Sequence, residues 1–193
     1  MKTRNINIKE KIKEYFFINP TNKLRVREIE RALKLPLPSV IIYCKELQKE
    51  GILTKIEIGN VVFYASDRTN KNFLLEKRIY NLKTLYSSGL VEFLKIELSN
   101  PSIIVFGSYS KGEDDEKSDI DLYIETPSKK ELNLKKYEEK LQRKIQAFRH
   151  KKISEIKNNG LINNIINGIL LNGFVEVLEW KRQIGMIVYS MVQ

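Results

Sequence analysis

Cysteine and histidine are almost missing from this chain: Cys44 and His150 are the only ones in 193 residues. One cysteine excludes a disulfide within the chain and a zinc site built on several cysteines. One histidine excludes multi-histidine metal sites and gives little support to a histidine-based nucleophile triad. No apolar run reaches the ~18–20 residues that a membrane span requires. The opening stretch MKTRNINIKEKIKEY has no apolar leader core. The expectation is a soluble protein of a reducing compartment, the cytoplasm, with no membrane partner. The nine glycines and five prolines are scattered, without a Pro/Gly linker, a low-complexity tract or a repeat. Negative charge is the scarcer sign, 24 Asp+Glu against 34 Lys+Arg, and the net +10 points to an anionic partner. Hydrophobic residues at 42% are enough for a true core, so wholesale disorder is excluded. The length suits one medium domain or two small ones.

Three segments follow from pattern: 1–68, a connecting stretch 69–100, and 101–193. Residues 1–70 hold 14 basic and 8 acidic side chains, residues 71–193 hold 20 and 16, and Glu113-Asp114-Asp115-Glu116 makes the later part locally negative. Ile8, Ile12, Tyr15 and Phe16 recur at helical spacing until Asn19-Pro20. Val26, Ile29, Ala32 and Leu33 predict a second short helix. After the turn Leu35–Pro38, the stripe Val40, Ile41, Cys44, Leu47, Leu53 predicts a third, closed by Gly51. Cys44 reads as a small core residue there. Residues 53–58 and 61–65 alternate like strands around Gly59-Asn60, a hairpin turn. Residues 71–98 read as helical, with Phe73, Leu74, Ile79, Leu82, Leu85 and Tyr86 as the inner stripe and a break at Ser87-Ser88-Gly89. Ile103–Phe106 reads as a buried strand.

Three short helices followed by a hairpin, over LRVREIERALKLPLPSVIIYCKELQKEGILTKIEIGNVVFYAS, resemble the winged helix-turn-helix family. The resemblance implies double-stranded DNA as partner, with a recognition helix from about Pro38 to Glu50 in the major groove. Its candidate contacts are Ser39, Tyr43, Lys45 and Lys49, with Arg25 and Arg27 toward phosphates. That helix also carries Glu46 and Glu50 and no arginine, so a docking or dimerisation role is the competing reading.

The chemistry concentrates in IIVFGSYSKGEDDEKSDIDLYIE, residues 103–125. An apolar strand leads into Gly107-Ser108, and Asp119-Ile120-Asp121 follows in a second strand. Glycine allows a sharp turn and close approach to a ligand. Ser108 offers a hydroxyl and an N–H where a helix would begin. Carboxylates two apart on a strand share a face, and they raise each other's pKa unless a cation lies between them. Mg²⁺ takes such oxygens and keeps sites for phosphate. Gly-Ser, a spacer and Asp-hydrophobic-Asp-hydrophobic resemble the nucleotidyltransferase superfamily that includes DNA polymerase beta and the small prokaryotic minimal enzymes. The resemblance implies that Gly107 and Ser108 hold the phosphates of a nucleoside triphosphate. It assigns Mg²⁺, with Mn²⁺ as substitute, to Asp119 and Asp121. Lys111 is a candidate phosphate neutraliser that the resemblance does not fix.

The expected fold class is α+β, an N-terminal winged helix-turn-helix plus a nucleotidyltransferase-fold mixed sheet with flanking helices. One position departs from the pattern. A third carboxylate is expected on the strand Lys144–Phe148, after a helix from about Leu132 to Leu141, but Gln146 stands there. Glu125, Glu155 and His150 are the alternatives for a base. Further on, Leu161, Ile162, Ile165, Ile166, Ile169 and Leu170 predict an amphipathic helix. Phe174, Val175, Val177 and Leu178 predict a strand ending near Trp180, and the tail 186–193 a strand or part of a homodimer interface. Lys129, Lys130, Lys135, Lys136 and Lys140 form a basic face. Nearly the full length resembles prokaryotic, mainly archaeal, fusions of a winged helix to such a transferase domain. That implies transfer of a nucleoside monophosphate to an acceptor. The alternatives are a DNA-binding regulator with an impaired transferase domain, and the transferase member of a toxin–antitoxin pair.

Overall fold

The computed structural model describes residues 7–176. The fold is α+β, with helices and a small sheet in the first part and a mixed sheet with helices in the second. Helix α1 (Ile8–Ile18) starts where the Asn7 side chain accepts the Glu10 N–H and stops before Pro20. Strand β1 (Lys23–Leu24), helices α2 (Val26–Leu33) and α3 (Leu37–Lys49), and strands β2 (Leu53–Ile58) and β3 (Val61–Ser66) follow. The three strands form an antiparallel sheet in the order β1-β3-β2. Pairing of Ile58 with Val61 leaves Gly59-Asn60 as a two-residue loop, and Gly59 takes the positive φ, +58°, that such loops require. This arrangement is consistent with a winged helix-turn-helix.

The core of this part gathers Ile12, Phe16, Phe17, Ile29, Val40, Cys44 and Leu47. Two expectations are corrected here. Ile41 is exposed, because the buried stripe of α3 is Val40, Cys44, Leu47, and Leu53 belongs to β2. Burial pushes the Cys44 thiol up to about 12, which keeps it protonated and inert.

Helices α4 (Lys71–Ser88) and α5 (Leu90–Glu97) meet at Gly89, φ +83°. The inner face of α4 is in part the expected one, since Phe73 and Leu85 are buried and Leu74 and Leu82 pack against the cores. Phe73, Lys77, Asn81, Leu85 and Ser88 are buried, whereas Ile79 and Tyr86 are about half exposed at 52% and 51%. The polar pair Lys77 and Asn81 turns inward because a buried acid, Asp114, meets both.

The second part runs β4 (Ser102–Phe106), α6 (Gly107–Lys111), β5 (Ile120–Glu125), α7 (Lys135–Leu141), β6 (Ile145–His150), α8 (Asn159–Ile166) and β7 (Ile169–Asn172). The sheet order is β6-β5-β4-β7. Strand β4 is antiparallel to both neighbours, while β5 and β6 are parallel and joined through α7. Ile103, Val105, Ile120, Leu122 and Ile124 pack with α5 through Leu90 and Leu94. On the opposite face Ile104, Phe106 and Tyr123 pack with Ile165 of α8.

Helix α7 is shorter than expected, and α8 ends at Ile166, so Ile169 and Leu170 belong to β7. The reason is Gly168: a side chain there would strike Ile104 and the Val105 carbonyl, so the chain turns against the sheet. Phe174 is 70% exposed and outside any strand. Val177, Leu178, Trp180 and the tail 186–193 lie outside the described residues. Among the described residues no helix is long and apolar enough to cross a membrane.

Candidate active site

The segment between β4 and β5 builds the site. Phe106 ends β4, and Gly107 turns the chain at φ +70° into the five-residue helix α6, which Gly112 closes at φ +76°. Asp119 immediately precedes β5, and Asp121 lies within it, opposite Phe106 on one side and Gln146 on the other. Alternation puts both aspartates on one face, while Ile120 and Leu122 enter the core. The Asp121 carboxylate fills the space that a Cβ on Gly107 would occupy. The phosphate-binding candidate and the metal-binding candidate, separated by a long spacer, are therefore in contact across β4 and β5. Ser108 is half-buried, and its hydroxyl has no partner among the described residues. Lys111 is exposed on α6.

The electrostatics of the pair favour a cation. Burial raises the Asp121 carboxyl above the ordinary carboxylate range, and the neighbouring Asp119 charge raises it further. A divalent ion between the two oxygens offsets both effects, so the donor set fits a hydrated Mg²⁺ that fills its remaining positions with phosphate and water. Among the described residues no group of three or more His, Cys, Asp or Glu side chains is placed to hold a metal. The departure at Gln146 is seen in the register, since Gln146 is exposed and sits directly beside Asp121. The alternatives are corrected by the same register. Glu125 and His150 pair with each other at the far end of β5 and β6, four residues or about 13 Å beyond Asp121. There Glu125 accepts hydrogen bonds from the Tyr123 hydroxyl and the Ile153 N–H, and Glu155 accepts from the Lys151 N–H.

A cavity of about 580 Å³ opens beside Asp119, toward β6, and its lining includes Lys117, Lys135, Glu139 and Lys144. Sequence reading missed Lys117 and Lys144. The first adjoins the aspartate motif and was findable; the second arrives only through the parallel pairing of β5 with β6.

Within the acidic run 113–116, Asp114 turns inward while Glu113 stays exposed. Asp114 is 1% exposed, and its Oδ1 lies 2.5 Å from Lys77 Nζ and accepts from Asn81 Nδ2 at 2.7 Å. Asp114 Oδ2 lies 3.8 Å from Arg143.

In the first part, Arg27, Lys45 and Lys49 are exposed, whereas Arg25 is paired with Glu28 at 2.7 Å. Tyr43 packs against the core, and Ser39 is half-buried. Ile42 is exposed beside Lys45. The structure thus leaves three of the six DNA candidates free on the surface.

Residues 87–170 match the family described as the nucleotidyltransferase domain. The match starts at the end of α4 and takes in β4, α6, β5, α7, β6 and α8, so it contains Gly107, Ser108, Asp119, Asp121 and Gln146. Over these residues the chain is similar to that family. No curated protein and no solved structure matches the chain.

Proposed function

We propose that the protein transfers a nucleoside monophosphate from a nucleoside triphosphate to an acceptor hydroxyl, which loses its proton as the α–β phosphoanhydride bond breaks and pyrophosphate leaves, with Mg²⁺ held by Asp119 and Asp121. The observation that carries this reading is the contact of Gly107 with the Asp121 carboxylate, which joins a phosphate cradle to a pair of metal ligands. A metal held by Asp119 and Asp121 would supply positive charge toward the triphosphate and the acceptor hydroxyl. Ser108 contributes its unpartnered hydroxyl and Lys111 a positive charge next to it. The winged part contributes recognition of duplex DNA through Arg27, Lys45 and Lys49.

The test is incubation with each labelled nucleoside triphosphate, Mg²⁺ and cell extract, beside the form carrying Asp119→Asn and Asp121→Asn. Labelled product that disappears in the double variant supports transfer. Absence of product with wild-type protein under all four triphosphates counts against it.

Gln146 favours a second reading, a DNA-binding regulator whose transferase domain binds nucleotide without turning it over. Glutamine cannot accept a proton at neutral pH, and it occupies the position beside Asp121 where a base would stand. Retained nucleotide binding without labelled product is its signature.

A further inference from the structure

The turn between α1 and β1 docks on the starts of both strands that carry the candidate site. Thr21 donates its N–H and its hydroxyl to the two carboxylate oxygens of Glu116, each at 3.0 Å. Arg143, one residue before Lys144, donates from a terminal nitrogen to the Ile18 carbonyl at 2.9 Å. Lys144 in turn accepts the Ile120 N–H at 2.8 Å. Asp114 is held by Lys77 and Asn81 of α4, and Lys77 also donates to the Asp114 carbonyl at 2.9 Å.

From Glu116 the path to Asp119 is three residues long. The Asp115 carboxylate accepts from the Lys117 N–H and the Ser118 hydroxyl, both at 3.0 Å. The Ser118 hydroxyl also accepts the Asp115 N–H. Ser118 is followed directly by Asp119. In the other direction, Thr21 stands two residues before β1 and four before Arg25, at the start of α2. The first part and Asp119 are therefore linked through the Thr21–Glu116 hydrogen bonds and three further residues of chain, braced by the hydrogen bonds of Asp115 with Lys117 and Ser118.

We propose that Thr21 and Glu116 are positioning residues for Asp119, so that the N-terminal part sets the metal affinity of the transferase site. This rests on the reading of Asp119 and Asp121 as metal ligands. The loop 113–118 has no apolar side chain to pack: it keeps one buried acid, Asp114, and accepts hydrogen bonds from Thr21, Arg68 and Lys77. Removing a bond at Thr21 loosens the loop on the side nearest Asp119, while Asp121 stays fixed inside β5. The distance between the two carboxylates is what a shared cation reads.

Thr21→Val is the informative variant. Thr21 is uncharged, so the substitution changes no formal charge beside the site; altering Glu116 itself would. Mn²⁺ alone is the probe, titrated into the full chain and followed by the resonance of the free ion. Wild-type binding that Asp119→Asn/Asp121→Asn abolishes, weakened about fivefold or more by Thr21→Val and restored by Thr21→Ser, supports the proposal. A purely structural role for the bond would lower the melting temperature and leave Mn²⁺ affinity unchanged; that result overturns it. Wild-type protein without binding dependent on Asp119 and Asp121 overturns the metal-site reading, and this inference with it.

Discussion

The Asp121 carboxylate lies where a side chain on Gly107 would have to go, and Gly107 itself holds φ +70°. Glycine is required there twice over, for backbone conformation and for space. Gly107→Ala is expected to cost about 1–2 kcal/mol for the left-handed backbone and to displace Asp121 as well. Gly59→Ala is the control, since Gly59 has φ +58° with open space around it. Urea unfolding should show a loss for both. If Mg²⁺ with nucleotide stabilises the wild type as proposed, only the Gly107 variant should also lose that stabilisation. Equal ligand responses in the two variants would remove Gly107 from the site.

The composite Gly-Ser and Asp-x-Asp pattern was legible because its parts are local. A turn glycine and a period-two strand are written in neighbouring residues. The same holds for the hairpin at Gly59-Asn60 and for the break at Gly89. Lys77, Asn81 and Asp114 were not legible. Helical periodicity assigns the apolar stripe inward, and nothing within α4 announces that an acid 37 residues later will neutralise a lysine on its inner face. Gln146 was legible as a cleft-face residue because the resemblance implies a neighbouring strand and alternation runs within 144–148; its register beside Asp121 is set by the parallel pairing of β5 with β6. Helix α8 was overextended because Ile169 and Leu170 keep the helical spacing, and only the approach of Gly168 to β4 shows why the helix stops.

Asp121→Asn is expected to stabilise the metal-free protein. Burial first, then the Asp119 charge, raises the folded-state pKa of Asp121 above its unfolded value. The folded state therefore holds this proton more tightly than the unfolded state, and ionisation penalises folding. The penalty is absent below the ordinary carboxylate pKa, grows as pH rises through the raised value, and is complete above it. Melting temperatures of the two proteins without metal should coincide in acid and separate at neutral pH, with the asparagine form higher. Saturating Mg²⁺ with nucleotide should reverse the order. A gap that is independent of pH would contradict the electrostatic origin.

Lys77→Met tests the buried pair. Lys77 is 0% exposed, and burial pushes its pKa down against the opposing pull of Asp114. Removing the ammonium leaves Asp114 inside with only Asn81 and the more distant Arg143. The expected loss is about 3–5 kcal/mol in urea unfolding. Lys83→Met, on the exposed side of the same helix, should stay within about 0.5 kcal/mol of wild type. A small loss at Lys77 would mean that the pair is offset elsewhere.

Gln146→Glu asks whether a third carboxylate is all the site lacks. The register puts the new acid beside Asp121, where it can take a proton or a second ion. A positioned base contributes about 10²–10⁴-fold, so labelled product should rise by at least about tenfold if proton removal limits transfer. Unchanged product from an already active wild type would show that the acceptor or the metal-bound hydroxyl needs no protein base.

Lys45 and Lys49 lie on the exposed side of α3 and are free of acidic partners among the described residues, unlike Lys9, which Glu46 and Glu50 hold. If α3 enters a groove, each lysine on a phosphate releases about 0.9 counterion. Lys45→Ala/Lys49→Ala should then flatten the slope of log affinity against log salt by about two and weaken duplex binding at low salt. Ile42, 54% exposed on the same side, discriminates the alternative. An apolar docking face would be disrupted by Ile42→Asp with little response to the double lysine change. Duplex titration of the three proteins at several salt concentrations reads both effects. A slope that depends on neither lysine would count against groove contact by α3.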